Sequence, residues 1–109
     1  MINLRFLKVP GEHVASLRDW MHRSTERVEE LKATMRDEGV TEECVALVPL
    51  PGSTDALLVY AVACDDHAAA LEVFGRSTHP IDEEHRVAMA AAELVPLPAE
   101  ELLRAVVGT

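Results

Sequence analysis

The sequence predicts an α+β fold of split βαβ type, a four-stranded antiparallel sheet with its helices on one face. Three observations predict it. An N-terminal run of alternating residues gives way to a long stretch with helical spacing. Two apolar runs then flank a segment built from turn formers, as in a hairpin. A second helical region follows, and after it a short apolar run bounded by prolines.

Residues Ile2 to Val9 read as a strand, with Ile2, Leu4 and Phe6 on one face and Asn3, Arg5 and Leu7 on the other. Pro10-Gly11 ends it. From Glu12 to Glu38 the apolar positions Val14, Leu17, Met21, Val28, Leu31 and Met35 form one stripe interrupted only at Ser24, which predicts a single long helix. Gly39 supplies the left-handed residue that closes it. Cys44 to Val48 and Ala56 to Ala63 are strands joined by the turn formers between Pro49 and Asp55. Both strands are almost continuously apolar, which predicts that both faces of the sheet are covered. Asp65-Asp66 caps a helix over Ala68 to Phe74 that Gly75 ends. Thr78 or His79 caps a further helix beginning at Pro80, the helical position that tolerates proline best. Glu93 to Leu97 reads as the fourth strand and Ala99 to Val107 as a terminal helix.

The order β-α-β-β-α-(α)-β is the ferredoxin-like one. At 109 residues the chain matches a single domain, residues 1–109. Hydrophobic residues make up 49% and charged residues 27%, a globular mixture. Nineteen acids against ten Lys and Arg leave a formal charge of -9, so neither nucleic acid nor an anionic membrane is an expected partner. No apolar stretch reaches the roughly 18 to 20 residues of a bilayer span, and the N-terminus lacks the pattern of a secretory leader. A reducing cytoplasm is therefore expected, with Cys44 and Cys64 as buried free thiols. One helical layer leaves the opposite sheet face bare and apolar, which predicts a homodimer formed through it.

The segment from Ser77 to His85 holds two imidazoles and three carboxylates. Two readings of it stay open. His79, Asp82 and His85 form a polar cluster for proton transfer, or less simply for a metal; or Asp82, Glu83 and Glu84 only complement the helix dipole behind a cap. Asp82 and His85 lie three apart and share a helix face, whereas His79 sits at the cap. His13, His22 and His67, and Glu26, Glu29 and Glu30, read as solvated surface. Arg5 lies in a strand fit for burial, so it must meet a carboxylate or a wet pocket. Trp20 and Tyr60 are core residues or cavity walls, each with a donor that needs a partner. No phosphate-binding Gly loop, nucleophile elbow or CxxC pair is present, and neither a cofactor nor a metal is assigned.

Leu4-Arg5-Phe6 with Pro10-Gly11 leads into a helix carrying Trp20 and Met21. With Ser77, His79-Pro80-Ile81-Asp82 and His85, these residues resemble a small uncharacterised bacterial family of the dimeric α/β-barrel superfamily. The resemblance runs from Ile2 to Met89. It implies a ferredoxin-like protomer whose sheet packs against that of a second copy. That superfamily includes cofactor-free monooxygenases, sugar mutarotases, haem-degrading enzymes, stress-induced barrels and ligand-sensing domains, so fold alone assigns no reaction.

Two functions are expected on these grounds. One is a small-molecule binder or cofactor-independent enzyme, isomerase-like or monooxygenase-like, with its pocket between sheet and helices. There His79 and His85 act as acid or base, Asp82 orients, and Arg5, Trp20 and Tyr60 form the walls. The other is a non-catalytic dimeric module, structural or ligand-sensing, which the low aromatic content of 4% favours.

Overall fold

A computed structural model describes residues 1–108; Thr109, the last residue of the expected domain, lies outside the described residues. The chain runs β1 (Ile2–Val9), α1 (Gly11–Thr25), α2 (Val28–Glu38), β2 (Val40–Pro49), β3 (Ala56–Cys64), α3 (His67–Arg76), α4 (Pro80–Ala91) and β4 (Val95–Leu97). The strands form one sheet in the order β2-β3-β1-β4, every neighbouring pair antiparallel. This is the α+β, split βαβ arrangement that the sequence predicts.

Register decides what faces the helices. Arg5 pairs with Tyr60 and Tyr60 with Val45, while Asn3 pairs with Val62 and Val62 with Glu43. Because side chains alternate along a strand, Arg5, Leu7 and Val9 share a face with Leu58, Tyr60 and Val62, and with Glu43 and Val45. Leu7, Val9, Leu58 and Tyr60 are buried on that face against Leu17, Trp20 and Ile81 from the helices. The other face of the sheet carries Ile2, Leu4, Phe6, Val59 and Leu97, and Ile2 and Leu4 are more than half exposed. Among the described residues no helix is long and apolar enough to cross a membrane.

The β2–β3 turn is tied to the start of α1. The Gly11 amide donates to Asp55 Oδ1 at 2.8 Å, and Thr54 presses so closely on Gly11 that a Cβ there would collide with it. Gly39 closes α2 at φ 73°, and the Asp66 side chain accepts from the Ala69 amide at 3.0 Å, as their sequence positions predict.

Four expectations are corrected. The single helix over Glu12 to Glu38 is two helices, broken at Glu26 and Arg27. Ser24 and Thr25 donate their hydroxyls to the carbonyls of Trp20 and His22, at 3.0 and 2.6 Å, and their own last turn tightens as Arg27 N–H bonds the Ser24 carbonyl. Such side chains compete with the helical ladder and favour a break there. The helix expected over Ala99 to Val107 does not form among the described residues, and Leu102 and Leu103 are exposed. Nine residues exposed along their whole length do not sustain a helix in water. Gly75 falls inside α3 rather than ending it, and Cys44 is exposed on edge strand β2 while Cys64 is buried.

Candidate functional site

Between the helix-side face of the sheet and the helices lies a cavity of about 490 Å³, with predominantly apolar walls. The size suits a small-molecule ligand. Arg5, Glu43 and Tyr60 rise from the sheet into its wall; Glu38 reaches it from the end of α2, and Asp82 and His85 from α4.

His85 is held at both ring nitrogens. Trp20 Nε1–H donates to Nδ1 at 2.8 Å, and Nε2 lies 3.0 Å from the Tyr60 hydroxyl. An indole nitrogen can only donate, so Nδ1 is the acceptor and the imidazole proton sits on Nε2, pointing at Tyr60. The Tyr60 oxygen accepts that proton, and its own O–H is left for Met89 Sδ at 3.3 Å, a weak acceptor. Phe74 meets the imidazole edge-on with ring centroids 5.8 Å apart. Burial pushes the His85 pKa below its ordinary value, with the Asp82 charge pulling the other way, so the ring is neutral at pH 7. Burial likewise pushes the Tyr60 phenol well above its usual range, with Glu43 adding to the effect and Arg5 opposing it. Tyr60 therefore stays protonated, a donor rather than a base.

A group of acids lines the same cavity. Asp82 and Thr34 are both buried, and the Thr34 hydroxyl donates to Asp82 Oδ2. The same hydroxyl lies 3.3 Å from Glu38 Oε1. One hydroxyl carries one proton, so when Thr34 serves Asp82 the hydrogen on the second contact comes from a protonated Glu38. Electrostatics agrees: desolvation first, then the charges of Asp82 and Glu43, push the Glu38 carboxyl up to about 7. Glu43 is raised too, by desolvation and then by Asp82. It stands at the mouth of the cavity, where it keeps contact with water while the walls crowd it.

Of the residues singled out in the sequence, the fold brings Arg5, Tyr60, Asp82 and His85 to one cavity, and Trp20 behind them as the support of His85. His79 stands apart. It occupies the N-cap of α4, but its side chain makes no capping bond; its Nε2 meets Asp37 Oδ2 at 2.7 Å on the surface, and that carboxylate raises its pKa. The α4 amide of Ile81 is instead satisfied by Glu30 Oε1 at 3.0 Å, reached across from α2. Glu30 is thus engaged with Ile81 and with Arg27 rather than free on a solvated face. His67, expected on the surface, lines the cavity near Arg5, and burial followed by that positive charge lowers its pKa.

Sequence reasoning missed Thr34, Glu38 and Glu43. The signals were present: Glu38 continues the spacing of Leu31 and Met35, and Glu43 continues the inward alternation of Val45 and Leu47. Among the described residues, one group brings three possible metal-ligand atoms within 4.8 Å, namely Glu12, His13 and Glu93; none of the three lines the cavity, and the group includes none of His79, Asp82 and His85.

The model of a family of unknown function, DUF6176, matches the chain over residues 2–95. No curated protein and no solved structure matches it.

Proposed function

The chain belongs to DUF6176, a family of unknown function, and from that premise we propose that it is a small-molecule-binding protein of the dimeric α/β-barrel superfamily, equipped for cofactor-independent chemistry of isomerase or monooxygenase type. One observation carries the reading: the Trp20–His85–Tyr60 chain ends in the cavity with the Tyr60 O–H on a thioether. A ligand oxygen is a far better acceptor than sulfur, so the hydroxyl is poised to turn to one. Glu38, half protonated near neutral pH, and Glu43 then face the ligand as groups able to take and return a proton. Removing a proton beside a carbonyl held by Tyr60 and returning it elsewhere is a balanced isomerisation. In this scheme His85 and Asp82 position Tyr60 and Glu38, and His79 takes no part.

The partner in this reading is a second copy. The open sheet face carries Ile2, Leu4, Phe6, Val59 and Leu97, a contiguous apolar surface of the kind that self-association covers.

Trp20 is the chain's one tryptophan, and its indole is bonded at the cavity wall, so its emission reports occupancy. Titration of a metabolite library is expected to yield a ligand that shifts this emission and raises Tm, with Tyr60→Phe weakening it by about tenfold, the worth of one hydrogen bond. No ligand for the wild type, or one indifferent to Tyr60→Phe, defeats the reading. One observation favours the second reading, a non-catalytic dimeric module: both nitrogens of His85 are already satisfied within the protein. That reading predicts a dimer whose Trp20 emission no metabolite alters.

A further inference from the structure

The charges around the cavity are sorted by sign. Arg5 stands on β1 and Glu43 on β2, the two strands that flank β3, and both side chains face the helices. With strands spaced about 4.8 Å apart, β1 and β2 lie roughly 10 Å from each other across the sheet, and Glu43 is set along β2 from the rung that Arg5 shares with Tyr60 and Val45. Glu38 and Asp82 join Glu43 on its side, as their mutual influence requires.

The two poles are not spent on each other. Among the described residues no carboxylate is in ion-pair contact with Arg5; its guanidinium lies 5.9 Å from the centre of the Tyr60 ring. Arg86, the other guanidinium at the wall, donates to the carbonyls of Phe74 and Ser77 at 2.5 and 2.7 Å, and among the described residues it is in ion-pair contact with none of the acids. On the strand between the two poles the Tyr60 side chain faces the cavity, and much of the remaining wall is apolar, Leu31, Phe74, Ile81 and Met89 among it. A simple anion entering this space meets the repulsion of the acids, and a simple cation that of Arg5. A molecule with both charges satisfies both ends, and an apolar body suits a wall that is otherwise predominantly apolar.

We propose that the cavity selects an amphipathic zwitterion, whose carboxylate-like group sits at Arg5 and whose protonated amine sits at Glu43 and Glu38, joined by an apolar body. This names the ligand class of the site proposed above and rests on that proposal.

Calorimetric titration of the whole chain with aminohexanoate bearing a terminal amine, with hexanoate and with hexylamine tests it. The zwitterion is expected to bind at least about tenfold more tightly than either singly charged analogue. Arg5→Gln is expected to erase its advantage over hexylamine, and Glu43→Gln its advantage over hexanoate. Arg5→Lys restores part of the first and guards against a loss caused by misfolding, which the melting curve of each variant also checks. Equal affinity for all three probes, or tighter binding of a singly charged one, overturns the zwitterion and leaves the cavity standing as a ligand site. Failure of all three has the same meaning when some other library compound shifts Trp20 emission. When no compound does, the zwitterion and the ligand site fall together.

Discussion

Trp20 and His85 stand 65 positions apart in the chain, and one hydrogen bond of 2.8 Å from the indole Nε1–H to imidazole Nδ1 joins them. That contact fixes which nitrogen of His85 carries the proton. The consequence passes to Tyr60, whose hydroxyl must accept from Nε2–H and is thereby free to donate into the cavity.

Trp20→Phe keeps the ring and removes the donor. Stability is expected to fall by about 1–3 kcal/mol, the cost of leaving a buried acceptor unsatisfied, as read from urea unfolding at neutral pH. Nitrogen NMR of the histidine rings should show His85 as the Nε2–H form in the wild type and a mixture in the variant. Because burial depresses the folded-state pKa of His85, its contribution to stability is present above about pH 6.5 and is lost as the pH falls.

Glu38 acts in the opposite sense. Its folded-state pKa is raised, from 4.5 to about 7, so its contribution is full below about pH 4.5 and drains away as the pH rises through 7. Glu38→Gln should remove that decline, leaving the variant more stable than the wild type above pH 7. Urea midpoints across this range check it; parallel curves for the two proteins would show that the carboxyl is not held protonated.

Thr34→Val preserves shape and deletes the hydroxyl that Asp82 uses. Asp82 is only 4% exposed, and the loss leaves a buried carboxylate without that donor. A destabilisation of about 1–3 kcal/mol or more is expected in chemical denaturation. A change under about half a kilocalorie would mean that Asp82 finds another donor.

Leu4 is 56% exposed on the open sheet face, so Leu4→Glu costs the lone protomer little. If a second copy covers that face, sedimentation velocity should find the wild type as a dimer and this variant as a folded monomer. A wild type that sediments as a folded monomer at micromolar concentration would refute the barrel.

Much of the fold was legible in the residues. The period of Ile2 to Val9, the hairpin around Pro49 to Asp55, the closure at Gly39 and the cap at Asp66 are all local signals, carried by residues within a turn or a strand pair of each other. The break at Glu26 and Arg27 was harder to see, because the apolar stripe continues across it and only the Ser24-Thr25 hydroxyls mark the interruption. The terminal segment failed for the converse reason: Ala99 to Val107 has helical composition, but it lies exposed along its length, and a stretch that short does not sustain a helix without packing.

The sequence by itself determined the split βαβ pattern and the two faces of β1, and it marked Arg5, Tyr60, Asp82 and His85 as candidates, since period and turn chemistry follow from residue type and spacing. Only the tertiary structure decided which of them meet. Thr34 reaches Asp82 across 48 positions and His79 reaches Asp37 across 42, and such pairs depend on where α2 and α4 come to lie on the sheet. That placement comes from packing of the whole core, a many-body property that local periodicity does not encode. For the same reason the carboxyls with raised pKa values at the cavity are Glu38 and Glu43, shifted by the burial and neighbouring charges that folding creates.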